Sequence, residues 1–466
     1  MADSNTHPWL VKFQEQWQRA LDRNVRVAVT GLSQSGKTTF ITSLIDQLLK
    51  LDARNLPLLD AMAEGRIITS QLMTLPELQV PTFPYKDFMA AIQDTPPRWP
   101  TSTDRMRGVR IAIRFRTRRA QLGAGNERTL YIDLIDYPGE WLLDLPLKTL
   151  SFQEWSRQVL EQTEEPARKA LAQSWLEYVA GLDPQAPADD DQAQQGQRLY
   201  AEYLKRCKEE LGLSSLQPGR FLIPGELEGS PLLWFFPLEV ENPDTLSKNS
   251  LYRALENRFE AYKKQVVRGF HEELSRLDRQ IVLVDVLKAL NHGPNLFADM
   301  QSSIEQVLQT FNYGKSGLYS RIFNSKIDKL LFAATKADHV TDNQHHNLRL
   351  LLETMIDEAK RKIRFQGVGL STQVLSSVRC TSTFETTHDG VKLSCLKGIP
   401  KGEEVVKGRF PGEVPPVPPS TSNWPEGAFQ FVEYRLPPAL SGLGKNPLPH
   451  IGIDRALNFL IGDKLE

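Results

Sequence analysis

Residues 31–38 have the residue types and the spacing of a phosphate-binding loop. They read Gly-Leu-Ser-Gln-Ser-Gly-Lys-Thr and complete the pattern GxxxxGK[ST]. The glycines allow successive backbone N–H groups to point at phosphate oxygens, while Lys37 is expected to reach the β- and γ-phosphates and the Thr38 hydroxyl to bind Mg²⁺. The same turn supplies the other predicted phosphate contacts, at Gln34, Ser35, Gly36 and Thr39. We therefore expect a ligand that carries a chain of phosphates.

A strand and a helix must hold this loop. Residues 25–30 are β-branched and apolar at alternate positions, which predicts a strand. Apolar residues then recur at helical spacing from Phe40 to Leu49, so an amphipathic helix should begin at Lys37. The positive end of that helix would face the phosphates.

A second segment with nucleotide chemistry follows the apolar stretch 130–135. Residues 136–139 read Asp-Tyr-Pro-Gly, which is the DxxG arrangement. At the end of a strand, Asp136 is expected to hold Mg²⁺ through water, and the Gly139 N–H to bond the γ-phosphate. The residues after Gly139 would then respond to the presence of that phosphate.

A third segment, Thr-Lys-Ala-Asp at 335–338, follows the apolar stretch 329–334 and resembles the [NT]KxD base-recognition motif of GTPases. The Asp338 carboxylate would accept hydrogen bonds from guanine N1–H and the exocyclic amino group, while the Lys336 stem covers the ring. Adenine would leave the buried carboxylate facing an acceptor, at a cost of about 1–3 kcal/mol. We therefore expect a guanine base, with His339 beside it.

A looser fourth segment, 376–381, follows a predicted helix over 348–365. GTPases place a small-residue turn here whose backbone N–H contacts the guanine carbonyl. The sequence departs from the usual Ser-Ala pair, so three donors stay open: Val378, Arg379 and Cys380.

The first switch should lie between the phosphate loop and Asp136. Residues 108–115 alternate strictly, which predicts an edge strand in an antiparallel hairpin with 130–135. Thr101, Ser102 and Thr103 compete for the Mg²⁺ role in the loop before this strand, and Thr103 is favoured. Trp99 either flanks the ribose or base or anchors the fold. Arg105 and Arg107 are either solvated or supply an arginine finger in cis.

These segments together resemble the YcjX-like family of bacterial GTPases. The matching stretches are 31–39, the string Asp-Tyr-Pro-Gly-Glu-Trp-Leu at 136–142, the predicted strand 281–287, and 335–338. The resemblance implies a guanine-nucleotide-binding, cytoplasmic, stress-associated protein.

The residue after Gly139 bears on hydrolysis. Many small GTPases orient the attacking water with a glutamine there, but this chain has Glu140. Its carboxylate either accepts a proton from water or is tied to an arginine or lysine as a switch residue. We expect slow intrinsic turnover, assisted by a partner or by dimerisation. The predicted catalytic residues are Lys37, Thr103, Arg105 and Glu140, and the predicted Mg²⁺ ligands are Thr38, Thr103 and Asp136.

Composition limits the function classes. The 466 residues carry 56 basic and 57 acidic side chains, so we expect no electrostatic attraction to nucleic acid. Three cysteines cannot form a disulfide framework and suit a reducing cytoplasm. Residues 1–24 predict an amphipathic helix that docks either on the protein itself or on a membrane surface, and no apolar run reaches the ~20 residues of a membrane span. The expected partners are GTP or GDP, an unknown protein effector and a second copy of the chain.

The spacing of the motifs predicts the domain organisation. Asp136 and Lys336 are 200 residues apart, whereas one strand–helix–strand step needs about 30. We predict an α/β fold, a P-loop NTPase of the GTPase type with a mostly parallel sheet. Its two parts, 25–144 and 279–388, flank an inserted helical subdomain at 145–278. A Pro- and Gly-rich extension, 389–466, should hold a strand at 429–434 and a terminal helix at 453–465.

Three functions fit these features. The first is a GTPase whose insertion, leaving from the second switch, is either a lever or a rigid decoration. The second is a GTP-dependent scaffold with negligible turnover. The third is a P-loop kinase, which would not need the Thr-Lys-Ala-Asp segment.

Overall fold

The computed structural model describes residues 24–31, 35–77, 79–101, 104–118, 126–310, 327–365, 367–424, 427 and 429–466. Most of the predicted N-terminal helix lies outside these ranges, as do three predicted site residues, Gln34, Ser102 and Thr103. The described residues form two compact units. The sheet unit draws on Met1–Tyr137, Leu277–Asn291 and Tyr313–Glu466, and the helical unit on Pro138–Arg276 and His292–Asn312.

A seven-stranded sheet forms the centre of the sheet unit. Its strands are β1 Asn24–Gly31, β2 Ile67–Met73, β3 Arg107–Arg116, β4 Glu127–Asp136, β5 Arg279–Val284, β6 Lys329–Ala334 and β7 Gly369–Val374. Their order is β2-β3-β4-β1-β5-β6-β7, and the five strands from β4 to β7 run parallel. β5 and β6 end in the apolar runs 281–284 and 330–334, and β1 is buried over almost its whole length, which suits strands that are covered on both faces. The predicted α/β fold class with a mostly parallel sheet is confirmed.

The predicted pairing of β3 with β4 is confirmed, but the predicted edge position of β3 is wrong. The pair is antiparallel and runs from Arg107 opposite Asp136 to Arg116 opposite Glu127. On its other side β3 pairs with β2, which is the true edge strand. Because β2 carries the polar run Thr-Ser-Gln and is mostly exposed, its sequence lacks the apolar alternation that marks the buried strands.

Helices cover the sheet. As predicted, one begins at Lys37, and its apolar side chains from Phe40 to Leu48 are buried in the main core. The terminal helix at 453 is also confirmed and packs into the same core. The sheet unit contains the helices Lys37–Lys50, Asp60–Ala63, Tyr85–Ile92, Val286–Asn291, His345–Met355, Asp357–Phe365 and Ile453–Ile461.

The C-terminal residues 389–466 belong to the sheet unit. This segment contributes β9 Val391–Gly398 and β10 Lys407–Arg409 to a small antiparallel sheet, whose third strand, β8 Ser382–His388, directly precedes it. The predicted strand at 429–434 is wrong, since only Tyr434 makes a bridge, to Pro400. The reason lies at Phe431, whose backbone N–H and carbonyl both bond the Asn291 side chain instead of a neighbouring strand.

The helical unit begins at Pro138 with the 3₁₀ helix Gly139–Thr149. Its helices are Phe152–Thr163, Pro166–Ala180, Asp190–Glu210, Gly219–Leu222, Leu251–Tyr262, Arg268–Leu274 and Pro294–Thr310. The last helix and residues 138–144 lie outside the predicted insertion 145–278. An aromatic core holds the unit, with Trp155 stacked on Phe259 at 5.0 Å and Trp175 on Tyr203 at 5.7 Å. Within the described ranges, no helix combines the length and apolarity that crossing a membrane requires.

Candidate functional site

The predicted site residues of the sheet unit lie at one edge of its sheet. Parallel strands end on the same side, and ligands of open α/β sheets bind outside these carboxyl ends. β1 leads into the phosphate loop, and β6 leads into the Thr-Lys-Ala-Asp segment. Along this edge, the order is Asp136 at the end of β4, the phosphate loop at the end of β1, Asp285 after β5, Lys336 and Asp338 after β6, and Ser376–Thr381 after β7.

The described part of the phosphate loop is tightly turned. Gly36 has φ +86°, a left-handed conformation that a side chain would strain. At Gly31 a Cβ atom would overlap Ser35 Oγ and lie 3.0 Å from the Leu283 carbonyl oxygen. Ser35 is buried, and its hydroxyl has no hydrogen-bond partner among the described residues. Lys37 opens the helix and donates from Nζ to the Gly31 carbonyl at 3.1 Å. These features fit a cradle for phosphate oxygens.

Thr38 and Asp136 offer the oxygen ligands that Mg²⁺ prefers. Both side chains are buried, and Asp136 lies opposite Val29 of β1, two residues before the phosphate loop. A hydroxyl and a single carboxylate suit an ion that usually keeps several waters. No cluster of three or more His, Cys, Asp or Glu side chains able to hold a metal occurs in the described parts of the chain.

A buried hydrogen-bond network supports the strand ends. The hydroxyl of Tyr137, within the Asp-Tyr-Pro-Gly segment, lies 2.7 Å from Thr30 Oγ1. Gln280 Nε2 donates to the same oxygen at 2.8 Å. Because these residues come from β1, β5 and the residue after β4, the network fixes the backbone that enters the phosphate loop.

Asp338 is held in place by the turn that follows β7. The carboxylate is buried, and its Oδ2 accepts a 2.8 Å hydrogen bond from the Cys380 backbone N–H. The Thr381 hydroxyl donates to the Asp338 carbonyl. Lys336 has φ +59°, which is uncommon for a residue with a side chain. The loop is therefore shaped to present Asp338 in one orientation.

The ammonium of Lys336 is paired with two carboxylates. Its Nζ lies 2.7 Å from Asp285 Oδ2 and 2.6 Å from Glu433 Oε1. Burial lowers the pKa of Lys336, but the two carboxylates outweigh it and the pKa is raised. Burial raises the pKa of Glu433, yet Lys336 and Lys401 bring it down to about 2.

Neither carboxylate partner of Lys336 was predicted from the sequence. The position of Asp285, an acid that directly follows the apolar run 281–284, was a usable signal. Glu433 carries no such signal, because it approaches Lys336 from 97 residues away.

The predicted guanine-carbonyl donors differ in their availability. The Arg379 N–H donates to the Pro449 carbonyl at 2.7 Å, and the Cys380 N–H to Asp338. Because these two N–H groups are already bonded, Val378 is the remaining candidate among the three predicted donors to the guanine carbonyl. His339 is buried, with its ring 5.4 Å from that of Tyr434, and burial lowers its pKa. It packs inside the loop.

Around the first switch, Trp99, Asp104 and Arg105 are exposed, whereas Arg107 is partly buried. Trp99 is 45% exposed, so nearly half of its surface faces solvent. The side chains of Arg105 and Arg107 both pair with Asp104, at 3.1 Å each. Of the three competing Mg²⁺ ligands, Thr101 is exposed, and Ser102 and Thr103 lie outside the described residues.

Glu140 is buried in the helical unit, directly after Gly139. Its carboxylate accepts a 2.8 Å hydrogen bond from Lys208 Nζ on the helix Asp190–Glu210. The predicted pairing of Glu140 with an arginine or lysine is confirmed. Lys208 could not be identified as the partner from the sequence, because the two residues lie 68 positions apart.

Asp144 anchors the 3₁₀ helix Gly139–Thr149, which also contains Glu140. It accepts hydrogen bonds from the Gly219 N–H at 2.6 Å, the Arg220 N–H at 3.3 Å and the Tyr262 hydroxyl at 2.5 Å. Burial raises the pKa of Asp144 to about 6, although these hydrogen bonds act against the rise. The residues after Gly139 are therefore fixed within the helical unit by several long-range contacts.

Comparisons with known proteins agree with the sequence resemblance. The YcjX-like family, DUF463, matches the chain over residues 25–465. The chain is 41% identical over 458 residues to the Ras-like GTPase YcjX of Escherichia coli (strain K12), covering 96% of this chain and 97% of that protein. It is 34% identical over 485 aligned positions to the protein of the same name from Shewanella oneidensis, covering 100% of both. The chain therefore belongs to the YcjX-like family.

Proposed function

We propose that this chain binds guanine nucleotides and hydrolyses GTP to GDP and phosphate in the presence of Mg²⁺. The observation that carries the proposal is the order of Asp136, the phosphate loop and Asp338 along one sheet edge. β1 and β6 are separated by β5 alone, so two strand spacings of about 4.8 Å each lie between phosphate loop and base motif. This span suits a nucleotide with its phosphates at β1 and its base at β6. The names of both relatives support the same activity.

The phosphate end of the site would be bound by backbone donors and one lysine. Gln34, Ser35, Gly36 and Thr39 would supply N–H groups, and Lys37 would neutralise the β- and γ-phosphates. Thr38, Thr103 and Asp136 would hold Mg²⁺, which would neutralise charge on the phosphates during transfer. Lys37 now bonds the Gly31 carbonyl, so its ammonium already lies within the loop.

The base end would be read by Asp338. Its carboxylate is pre-oriented by the Cys380 N–H and keeps lone pairs for the two donors of guanine. Val378 would donate to the guanine carbonyl. Trp99, with Ser102, would border the ribose side. An adenine base would leave Asp338 without a donor, which disfavours ATP.

The environment of Glu140 favours slow turnover. The Lys208 ammonium stabilises the ionised carboxylate and so weakens it as a proton acceptor. We propose that Glu140 is a switch residue and that hydrolysis depends on Lys37, Thr103 and a positioned water, with Arg105 available once it leaves Asp104. The same ion pair favours a second candidate function, a GTP-dependent scaffold with negligible turnover.

The connection after Tyr137 supports nucleotide-dependent switching. The chain passes from Asp136 to Gly139 and directly into the 3₁₀ helix Gly139–Thr149, which Asp144 fixes to the helical unit. A γ-phosphate bond at Gly139 would therefore act on a helix that is anchored at its far side. Limited proteolysis with GDP and with a non-hydrolysable GTP analogue should give different patterns, and matching patterns would overturn the switch.

We place this activity in the cytoplasm, in a stress-associated role with a protein effector.

One set of measurements tests the proposed function. Affinities for GTP, GDP and ATP are measured by calorimetry, followed by phosphate release with and without Mg²⁺ and with candidate phosphate acceptors. We expect preference for guanine nucleotides and slow, Mg²⁺-dependent release, with Lys37→Met as the inactive control. Equal affinity for ATP would refute base recognition. Tight GTP binding without release would support the scaffold, and transfer to an acceptor would show a kinase.

A further inference from the structure

We propose that Glu433 and Asp285 are positioning residues that hold Lys336 over the nucleotide base, which makes the C-terminal segment 429–435 a working part of the nucleotide site. This inference rests on the proposed guanine-nucleotide function. It assigns a role to a segment in which the sequence shows no catalytic or binding pattern.

The contacts of Lys336 carry the proposal. Its ammonium lies 2.7 Å from Asp285 and 2.6 Å from Glu433, and these carboxylates come from the end of β5 and from the C-terminal segment. Asp285 is buried and also accepts the Lys288 backbone N–H at 3.0 Å, which fixes its carboxylate. The ammonium is therefore held on two sides by groups from different parts of the chain.

Glu433 is itself held rigidly. Its carbonyl accepts the Lys401 backbone N–H at 2.8 Å, and Arg435, two residues further along the chain, donates its N–H to the Ile399 carbonyl at 2.8 Å. The second carboxylate oxygen of Glu433 bonds Lys401 Nζ at 2.6 Å. A side chain whose backbone and second carboxylate oxygen are already bonded loses little entropy when it binds Lys336.

A lysine that covers a base needs such partners. The methylene stem lies on the ring while the charged end must find a counter-ion elsewhere. Asp338 is only two residues away, and an ammonium drawn to it would occupy the carboxylate that guanine requires. In the described structure Lys336 pairs with Asp285 and Glu433 and not with Asp338. The two carboxylates therefore keep Lys336 in place and leave Asp338 available.

The test uses the full chain with Glu433→Gln, which removes the charge and keeps the shape. Dissociation constants are measured for GDP, inosine diphosphate, a non-hydrolysable GTP analogue and inorganic triphosphate. We expect the three nucleotides to bind roughly three- to tenfold more weakly, at most about 1.4 kcal/mol, because Lys336 loses one of its two carboxylate partners and keeps Asp285. Triphosphate, which lacks a base, should bind as it does to the wild type. The GDP to inosine diphosphate ratio should not change, because Lys336 covers the ring without reading the amino group.

Glu403→Gln is the matched control. Glu403 pairs with Lys407 and Arg409 in the same C-terminal region and makes no contact with Lys336. This variant should bind all four ligands normally. Glu433→Asp, which restores the charge, should recover part of the nucleotide affinity, and Asp285→Asn should repeat the Glu433→Gln pattern.

Two outcomes would overturn the inference. One is unchanged GDP affinity in Glu433→Gln, and the other is an equal loss of triphosphate binding, which would indicate general damage to the fold. Failure of the proposed function is distinguishable, because in that case the wild-type chain would itself show no preference for guanine nucleotides.

Discussion

The Cys380 backbone N–H donates a 2.8 Å hydrogen bond to Oδ2 of the buried Asp338 carboxylate. This bond joins the loop after β6 to the turn after β7. It orients the carboxylate, because a backbone donor at a fixed position leaves few alternative rotamers. The geometry thus prepares Asp338 to accept two further donors from a base.

Asp338→Asn should change base preference. The amide offers a donor where guanine needs an acceptor, so GTP affinity should fall by roughly 10- to 100-fold, while xanthosine triphosphate, which has a carbonyl in place of the amino group, should gain. Calorimetry with both nucleotides measures the change. Asp342→Asn, at an exposed carboxylate in the next turn, is the control. Unchanged GTP affinity would remove base recognition from Asp338.

Glu140→Gln should have a modest effect on hydrolysis. The loss of a general base costs about 10²- to 10⁴-fold, whereas a switch residue paired with Lys208 should change the rate less than roughly tenfold. Single-turnover phosphate release from preloaded GTP measures the rate. A fall of a hundredfold or more, with normal GTP binding, would establish Glu140 as the base.

The buried Asp144 should make stability depend on pH. Its pKa is raised to about 6 in the folded chain, compared with about 3.9 when unfolded. Between these two pH values Asp144 binds more protons in the folded state than in the unfolded state. Its contribution to stability is therefore present below pH 4 and is lost as pH rises through 6.

Asp144→Asn removes this titration. The unfolding free energy of the wild type, measured relative to that of the variant, should fall by on the order of 3 kcal/mol from pH 4 to pH 7. Urea unfolding followed by tryptophan fluorescence at several pH values provides the measurement. A difference that stays constant over this range would show that Asp144 does not titrate there.

Gly219→Ala should destabilise the helical unit. A Cβ atom at Gly219 would overlap the backbone carbonyl of Glu140, which cannot move without disturbing the 3₁₀ helix. We expect a loss of about 1–3 kcal/mol. Gly269→Ala is the matched control, because its Cβ meets no atom within 4 Å and it lies in a helix, where alanine gains about 0.5–1 kcal/mol. Equal thermal unfolding of the two variants would contradict the packing at Gly219.

Local patterns in the sequence predicted much of the fold. The strands at 24–31, 107–116, 127–136 and 329–334 match the predicted apolar stretches closely, and the helix after the phosphate loop begins where expected. Strand β2 was missed because its polar residues give no alternation. The predicted strand at 429–434 failed because Asn291 satisfies the Phe431 backbone.

The sequence by itself determined which chemical groups occur at 31–38, 136–139 and 335–338. Each of these segments can be recognised because its neighbouring residues supply the groups and also impose the backbone shape. Only the tertiary structure decided which distant side chains meet them: Glu433 at Lys336, Cys380 at Asp338 and Lys208 at Glu140. The physical reason is that periodicity records whether a segment is buried, whereas these contacts depend on the strand order and on how separate segments fold back on one another.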